Sequence, residues 1–142
     1  REPVYSQTAA VHDENDYGNT YVEINLTAQH LFFYKEGKLV VESDFVSGNE
    51  SRGWSTPAGA YPLTYKQRNA TLKGQNYATP VSYWMRVTWT GVGFHDAIWQ
   101  SAFGGTIYQT NKGSHGCINM PLNMAASLYD QLSVGTPVII HE

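Results

Sequence analysis

The sequence predicts a mostly β domain, a sandwich or barrel-like core carrying one helix, and three observations support that reading. Apolar and polar residues alternate in several short runs, Gly- and Pro-containing turn signals separate the runs, and helical spacing is sustained only once, late in the chain. With 142 residues the chain has the length of one compact domain, enough to bury a core without disulfides or metals.

Residues 1–19 are polar, acidic toward their end and without a steady period, which marks an N-terminal arm or linker with His12 solvated on it. The chain opens at Arg1 with no charged-then-apolar leader, as expected of a processed or trimmed catalytic form. The domain proper is expected over residues 20–142. Val22, Ile24 and Leu26 alternate with Tyr21, Glu23 and Asn25, the period of a half-buried strand. The run "HLFFYKEGKLVVESDFV" breaks at Glu36-Gly37, as a hairpin does. In "STPAGAYPLTY", Pro57 and Gly59 make a turn before a short strand. "QRNATLKGQNYATP" is polar and contains Gly, so it is expected to be a long loop of the kind that covers a binding site, with Lys73 on it.

"VSYWMRVTWTGVGFHD" is expected to form one long strand, bent or bulged at Gly91 and Gly93 and ending in His95 and Asp96. Pro121 suits a first helical turn, and Met124, Ala125, Leu128, Tyr129 and Leu132 recur at helical spacing up to a stop near Gly135. "TPVIIHE" closes the chain as a strand buried at Val138 and Ile140, with His141 at its exposed end. His30, far from the other histidines that carry chemistry, is assigned a structural role.

The composition narrows the functional classes. The net charge is −3 and the nine basic residues are scattered, so no footprint for nucleic acid or an anionic lipid surface is present. No apolar run approaches the roughly 18 residues of a membrane span. A single cysteine rules out an internal disulfide and is compatible with the cytosol or with export.

That cysteine lies in "GSHGCINM", where three fates are open to it: nucleophile, metal ligand or buried spectator. A thiol becomes a nucleophile by losing its proton, which calls for an imidazole that accepts the proton and holds the thiolate as an ion pair. Two histidines qualify. His115 stands two residues before Cys117, on the same face of an extended backbone, and His95 sits at the end of a glycine-rich strand. Gly116 lets the backbone turn so that N–H groups can face an oxyanion. Against this, Ser114, His115 and Cys117 can simply tie a loop together. Zinc on Cys117, His115 and His95 is the third reading, but neither C-x-x-C nor H-x(3-5)-H spacing is present.

"GFHD" at 93–96, followed by "SHGCINM" at 114–120, resembles the signature of the L,D-transpeptidase catalytic domain, the YkuD family. The resemblance extends to "YVEINLTAQHLFFYKEGKLV", "STPAGAY", "ATLKG" and "VGTPVII", covering about residues 20–141. It implies a β-sandwich of two mixed sheets with one main helix following the nucleophile. It also implies an enzyme that cross-links peptidoglycan: a thiolate attacks the peptide bond after the third residue of a tetrapeptide donor stem, expels D-alanine, and passes the acyl group to the side-chain amine of an acceptor stem in a 3→3 link.

Carried onto this chain, the resemblance makes Cys117 the nucleophile and His95 its general base, oriented by the backbone carbonyl of Asp96. Gly116 and Cys117 donate N–H groups to the oxyanion, His115 lines that pocket, and Ser114 supports the loop. Where many members have arginine two residues after the cysteine, this chain, like some others, has Asn119, which bears only on local contacts. Tyr83, Trp84 and Phe94 flank the histidine strand; aromatics on strands serve a core or a cleft, and with Asn119 these three are assigned to the donor-peptide cleft. No cofactor and no metal are implied. The partners implied are donor and acceptor stem peptides, with carbapenem β-lactams as inhibitors.

The domain is accordingly expected in an extracytoplasmic setting, the cell wall or envelope, on a protein exported or anchored N-terminally. Two alternatives stand beside this reading. A cysteine L,D-carboxypeptidase or amidase would pass the same acyl-enzyme to water, and a non-catalytic wall-binding module would hold the stem peptide with an incidental thiol. Papain-like wall peptidases place cysteine before histidine, the reverse of the order here.

Overall fold

The computed structural model describes residues 18–74 and 77–142, so residues 1–17, which make up most of the expected arm and include His12, lie outside the described residues. Among the described residues the chain forms nine strands and one α-helix, in the order β1 (Tyr21–Asn25), β2 (His30–Lys35), β3 (Lys38–Asp44), β4 (Gly59–Pro62), β5 (Tyr65–Gly74), β6 (Tyr77–Arg86), β7 (Gly93–Asp96), β8 (Ile118–Met120), α1 (Leu122–Gln131) and β9 (Pro137–His141). One sheet has the order β3-β2-β1-β9-β4 and the other β5-β6-β7-β8. Both are mixed, because β1 pairs with β9 in parallel and β7 pairs with β8 in parallel.

The expected alternation is present in β1, where Val22 and Ile24 are buried and their neighbours half-buried. The β2–β3 hairpin turns at Glu36 and Gly37, both at positive φ (52° and 82°), the requirement of a two-residue hairpin turn. Leu31, Phe33, Val138 and Ile140 on one sheet meet Met85, Phe94, Ile118 and Met120 on the other, and α1 closes the same core with Ala125 and Leu128. His30 lies on the solvent-facing side, held by Asp44 at 2.7 Å and Glu42 at 2.9 Å. No helix among the described residues is long and apolar enough to cross a membrane.

Two expectations are corrected. The expected long loop at 67–80 belongs to a ten-residue by ten-residue hairpin, with β5 and β6 paired from Tyr65↔Arg86 to Gly74↔Tyr77. Its backbone ladder holds a largely polar ribbon together, with Met85 reaching the main core and Ala70, Val81 and Trp84 forming a small separate cluster with Leu72 beside it. The expected bent strand over 81–96 is instead two antiparallel strands, β6 and β7, because the chain reverses between them. Val87 and Thr88 both donate to the Val92 carbonyl, and Gly91 takes φ of 106° in the turn. At Gly93 a Cβ would lie 2.2 Å from the Met85 carbonyl oxygen, so only glycine lets β7 approach β6 there.

The three-residue β8, fully buried, escapes sequence detection because it has no alternation to show. Pro121 precedes the first helical turn as the N-cap rather than standing in it. The helix has no basic residue in its last turn. A cation from outside takes that place: Lys66 Nζ donates to the carbonyls of Tyr129 (2.6 Å) and Leu132 (2.7 Å) and lies 4.2 Å from the Tyr129 ring centre.

Replacing that ammonium by a methyl-ended chain of similar length should destabilise the sandwich. For Lys66→Met we expect a loss of about 1.5–3 kcal/mol, the range for hydrogen bonds to a charged group, measured by urea unfolding. A loss below a few tenths of a kcal/mol would show that solvent caps the helix equally well.

Candidate active site

The parallel pairing of β7 with β8 brings the two halves of the sequence motif together. His95 pairs with Asn119, and Cys117 stands immediately before β8. Side chains alternate along both strands, so Phe94 and Ile118 enter the core while His95 and Asn119 turn to the opposite face. There they line a cleft of about 840 Å³ together with Cys117.

His95 is 4% exposed, and its Nδ1 is 2.8 Å from the carbonyl oxygen of Asp96. A carbonyl only accepts, so Nδ1 carries the proton and Nε2 of the neutral ring is left as the acceptor. Trp84 and Trp99 pack beside the imidazole with ring centres 6.0 and 5.9 Å away. Burial lowers the His95 pKa below its ordinary value, and the bond to Asp96 only partly opposes this, so the ring is neutral at pH 7. The Asp96 carboxylate has separate work, accepting the backbone N–H groups of Ser82 (2.9 and 3.1 Å) and Tyr83 (2.8 Å) where β6 passes.

Cys117 is partly open to the cleft, with protein around the rest of its sulfur, and the thiol donates to the Gly91 carbonyl at 3.5 Å. Burial pushes its pKa up to about 11, against a smaller lowering by the Gly93 backbone. Both members of the pair are thus held neutral. The thiolate–imidazolium ion pair expected from the sequence is not favoured in the resting site, because burial penalises both charges.

The loop ahead of the cysteine is laced to itself. Ser114 Oγ accepts the Gly116 N–H at 3.0 Å and donates to the Cys117 carbonyl. This corrects one implied role: the Gly116 N–H is engaged by Ser114, so it is not poised for an oxyanion. Gly116 has φ of 136°, a conformation that side-chain-bearing residues rarely adopt. His115 is exposed, lines the cleft, and packs on Trp54 at 4.4 Å.

Asn119 is 4% exposed, and its Nδ2 donates to Gln100 Oε1. Its Oδ1 is the one buried side-chain polar atom without a partner among the described residues. Of the three aromatics assigned to the cleft, only Trp84 lines it. Phe94 is fully buried in the core, and Tyr83 packs at a tilt on Tyr129 (5.4 Å) beneath the Arg68 guanidinium (4.3 Å), on the side of the sheet away from the cleft.

Sequence reasoning missed Trp99, Gln100 and Lys112, which line the cleft from irregular segments that carry no periodic signal. Lys73 does line the cleft, but from strand β5 rather than from a loop. Among the described residues two lysines and no Asp or Glu line the cleft, although the protein is acidic overall. Among the described residues no three His, Cys, Asp or Glu side chains are grouped to hold a metal ion.

Comparison with known proteins identifies the family of the domain. Residues 19–140 match the family model of the L,D-transpeptidase catalytic domain, YkuD. A crystal structure of a cysteine-to-serine mutant of the Enterococcus faecium L,D-transpeptidase is 42% identical and superposes with a TM-score of 0.85, covering 95% of this chain and 54% of that one. The catalytic domain of the same organism's enzyme, solved by NMR acylated by ertapenem, is 43% identical with a TM-score of 0.76 over 87% of this chain and 98% of that one. L,D-transpeptidase 1 of Mycobacterium tuberculosis is 27% identical over 132 residues, 85% of this chain and 50% of that protein. The chain spans about half the length of the curated relatives that it matches over most of its own length.

A neutral thiol in the resting site has a kinetic signature. The rate of iodoacetamide alkylation of Cys117 should climb about tenfold per pH unit between pH 7 and 10, because only the growing thiolate fraction reacts. A rate that levels off above pH 6 to 7 would show a standing ion pair instead.

Proposed function

Because the chain belongs to the YkuD family of L,D-transpeptidase catalytic domains, we propose that it carries the acyl-transfer site of a peptidoglycan L,D-transpeptidase that makes 3→3 cross-links. The observation that carries this reading is the hydrogen bond from His95 Nδ1 to the Asp96 carbonyl, which turns a neutral imidazole acceptor into the cleft that Cys117 shares.

The steps balance from a neutral pair. The Cys117 sulfur attacks the carbonyl carbon of stem residue three while its proton passes to His95 Nε2. The tetrahedral oxyanion collapses, the C–N bond breaks, and the proton on Nε2 moves to the departing amine, so D-alanine leaves and a thioester remains. An acceptor side-chain amine then attacks the thioester, gives its proton to His95, and the C–S bond breaks as sulfur takes that proton back. The pair returns neutral, which suits a site whose burial disfavours charge on either residue between turnovers.

Other features fit a peptide donor. Trp84 and Trp99 flank the base and keep bulk water from it. Lys73 and Lys112 in the lining suit a substrate that ends in carboxylate. The polymer that supplies such stems lies outside the cytoplasmic membrane, and we place the domain there.

Mass spectrometry of the protein with a defined tetrapeptide stem, and separately with ertapenem, tests this reading. We expect loss of D-alanine with formation of cross-linked dimer, and a persistent ertapenem adduct that peptide mapping places on Cys117. Cys117→Ala should keep its fold and show neither. Hydrolysis without dimer would favour the carboxypeptidase reading, and the absence of any acylation at excess ertapenem would remove the acyl-transfer site altogether.

A further inference from the structure

The Cys117 N–H can serve an oxyanion only if the peptide that carries it is held in one orientation. That peptide joins Gly116 to Cys117, and a trans peptide is planar, so its C=O and N–H point in opposite directions and fixing one fixes the other. Sterics do not fix it, because Gly116 has no Cβ to restrict the rotation and sits at φ of 136°. A hydrogen bond does. Thr56 Oγ1, from the segment 60 residues upstream, donates to the Gly116 carbonyl at 2.6 Å.

The hydroxyl is itself pinned. It accepts the Gly48 N–H at 3.0 Å, so its single proton is directed to Gly116, and Thr56 is 3% exposed. Gly48 leaves no slack, since a Cβ there would fall 1.8 Å from the Trp54 carbonyl oxygen. The strip around it is stitched to the cysteine loop by Ser114 N–H to the Ser47 carbonyl (3.0 Å) and Asn49 N–H to the Ser114 carbonyl (2.8 Å). With the Gly116 N–H already held by Ser114 Oγ, the contribution of this turn to an oxyanion falls to the Cys117 N–H.

We infer that Thr56, which does not line the cleft, is a positioning residue for acyl transfer: its hydroxyl holds the Gly116–Cys117 peptide so that the Cys117 N–H faces the developing oxyanion. The inference rests on the acyl-transfer reading above. It assigns to Thr56 an effect on reactions that build an oxyanion and none on reactions of the same sulfur that do not.

Two reagents separate these. Ertapenem acylates through a tetrahedral oxyanion, whereas iodoacetamide alkylates by direct displacement at carbon. For Thr56→Val, which keeps shape and removes the hydroxyl, we expect acylation of Cys117 to slow by about 10- to 100-fold with alkylation within about threefold of the parent. Thr56→Ser should restore acylation. Thr56→Ala gives the same comparison if valine is not accommodated. Parallel loss of both rates, or normal acylation without the hydroxyl, would overturn the role of Thr56. A parent protein that alkylates but is never acylated would instead overturn the acyl-transfer reading.

Discussion

The hydrogen bond from His95 Nδ1–H to the Asp96 carbonyl determines what the rest of the site can do. It selects one tautomer, points Nε2 toward the cleft, and does so with a backbone group that stays uncharged at every pH. A carboxylate in that position would stabilise imidazolium. The carbonyl supports the neutral base more gently, and the Asp96 carboxylate is occupied with the amides of Ser82 and Tyr83 on the other face of the strand. The parallel pairing of β7 with β8 then sets Cys117 within the same cleft.

Burial explains why the pair rests uncharged. Separating a proton from the thiol before substrate arrives would place two charges in a poorly solvated site, at a desolvation cost of roughly several kcal/mol per ion. Proton transfer coupled to attack avoids holding both at once. The charge that does develop is on the substrate oxygen, and the loop geometry provides for it: Ser114 fixes one peptide and Thr56 the next. In this arrangement the strand pair supplies the base and nucleophile, and the upstream strip at residues 47–56 supplies the rigidity around them.

Much of this architecture was legible in the sequence, for identifiable reasons. The alternation through Val22, Ile24 and Leu26, the Glu36-Gly37 turn and the helical spacing from Met124 to Leu132 are local signals of half-buried elements, and each corresponds to an observed element. The β5–β6 hairpin was hidden because its residues are mostly polar and its stability comes from cross-strand backbone bonds. The reversal at 87–92 was hidden because its glycines serve a bulge and a turn equally well in sequence. At the site, Cys117 and His95 stood out through their glycine-rich neighbours and the family pattern. Phe94 and Tyr83 did not separate from Trp84 until strand facing was known, and the link from Thr56 to Gly116 spans 60 residues that no local pattern connects.

The central claim concerns where one proton sits. ¹⁵N-histidine NMR of the free protein at pH 7 reads it directly, since Nδ1–H, Nε2–H and doubly protonated rings give distinct pairs of nitrogen shifts. The account predicts that His95 is neutral with the proton on Nδ1, and that it stays so until the pH falls below the ordinary histidine value, because burial lowers its pKa. A doubly protonated His95 at pH 7, or a neutral ring carrying its proton on Nε2, would contradict it.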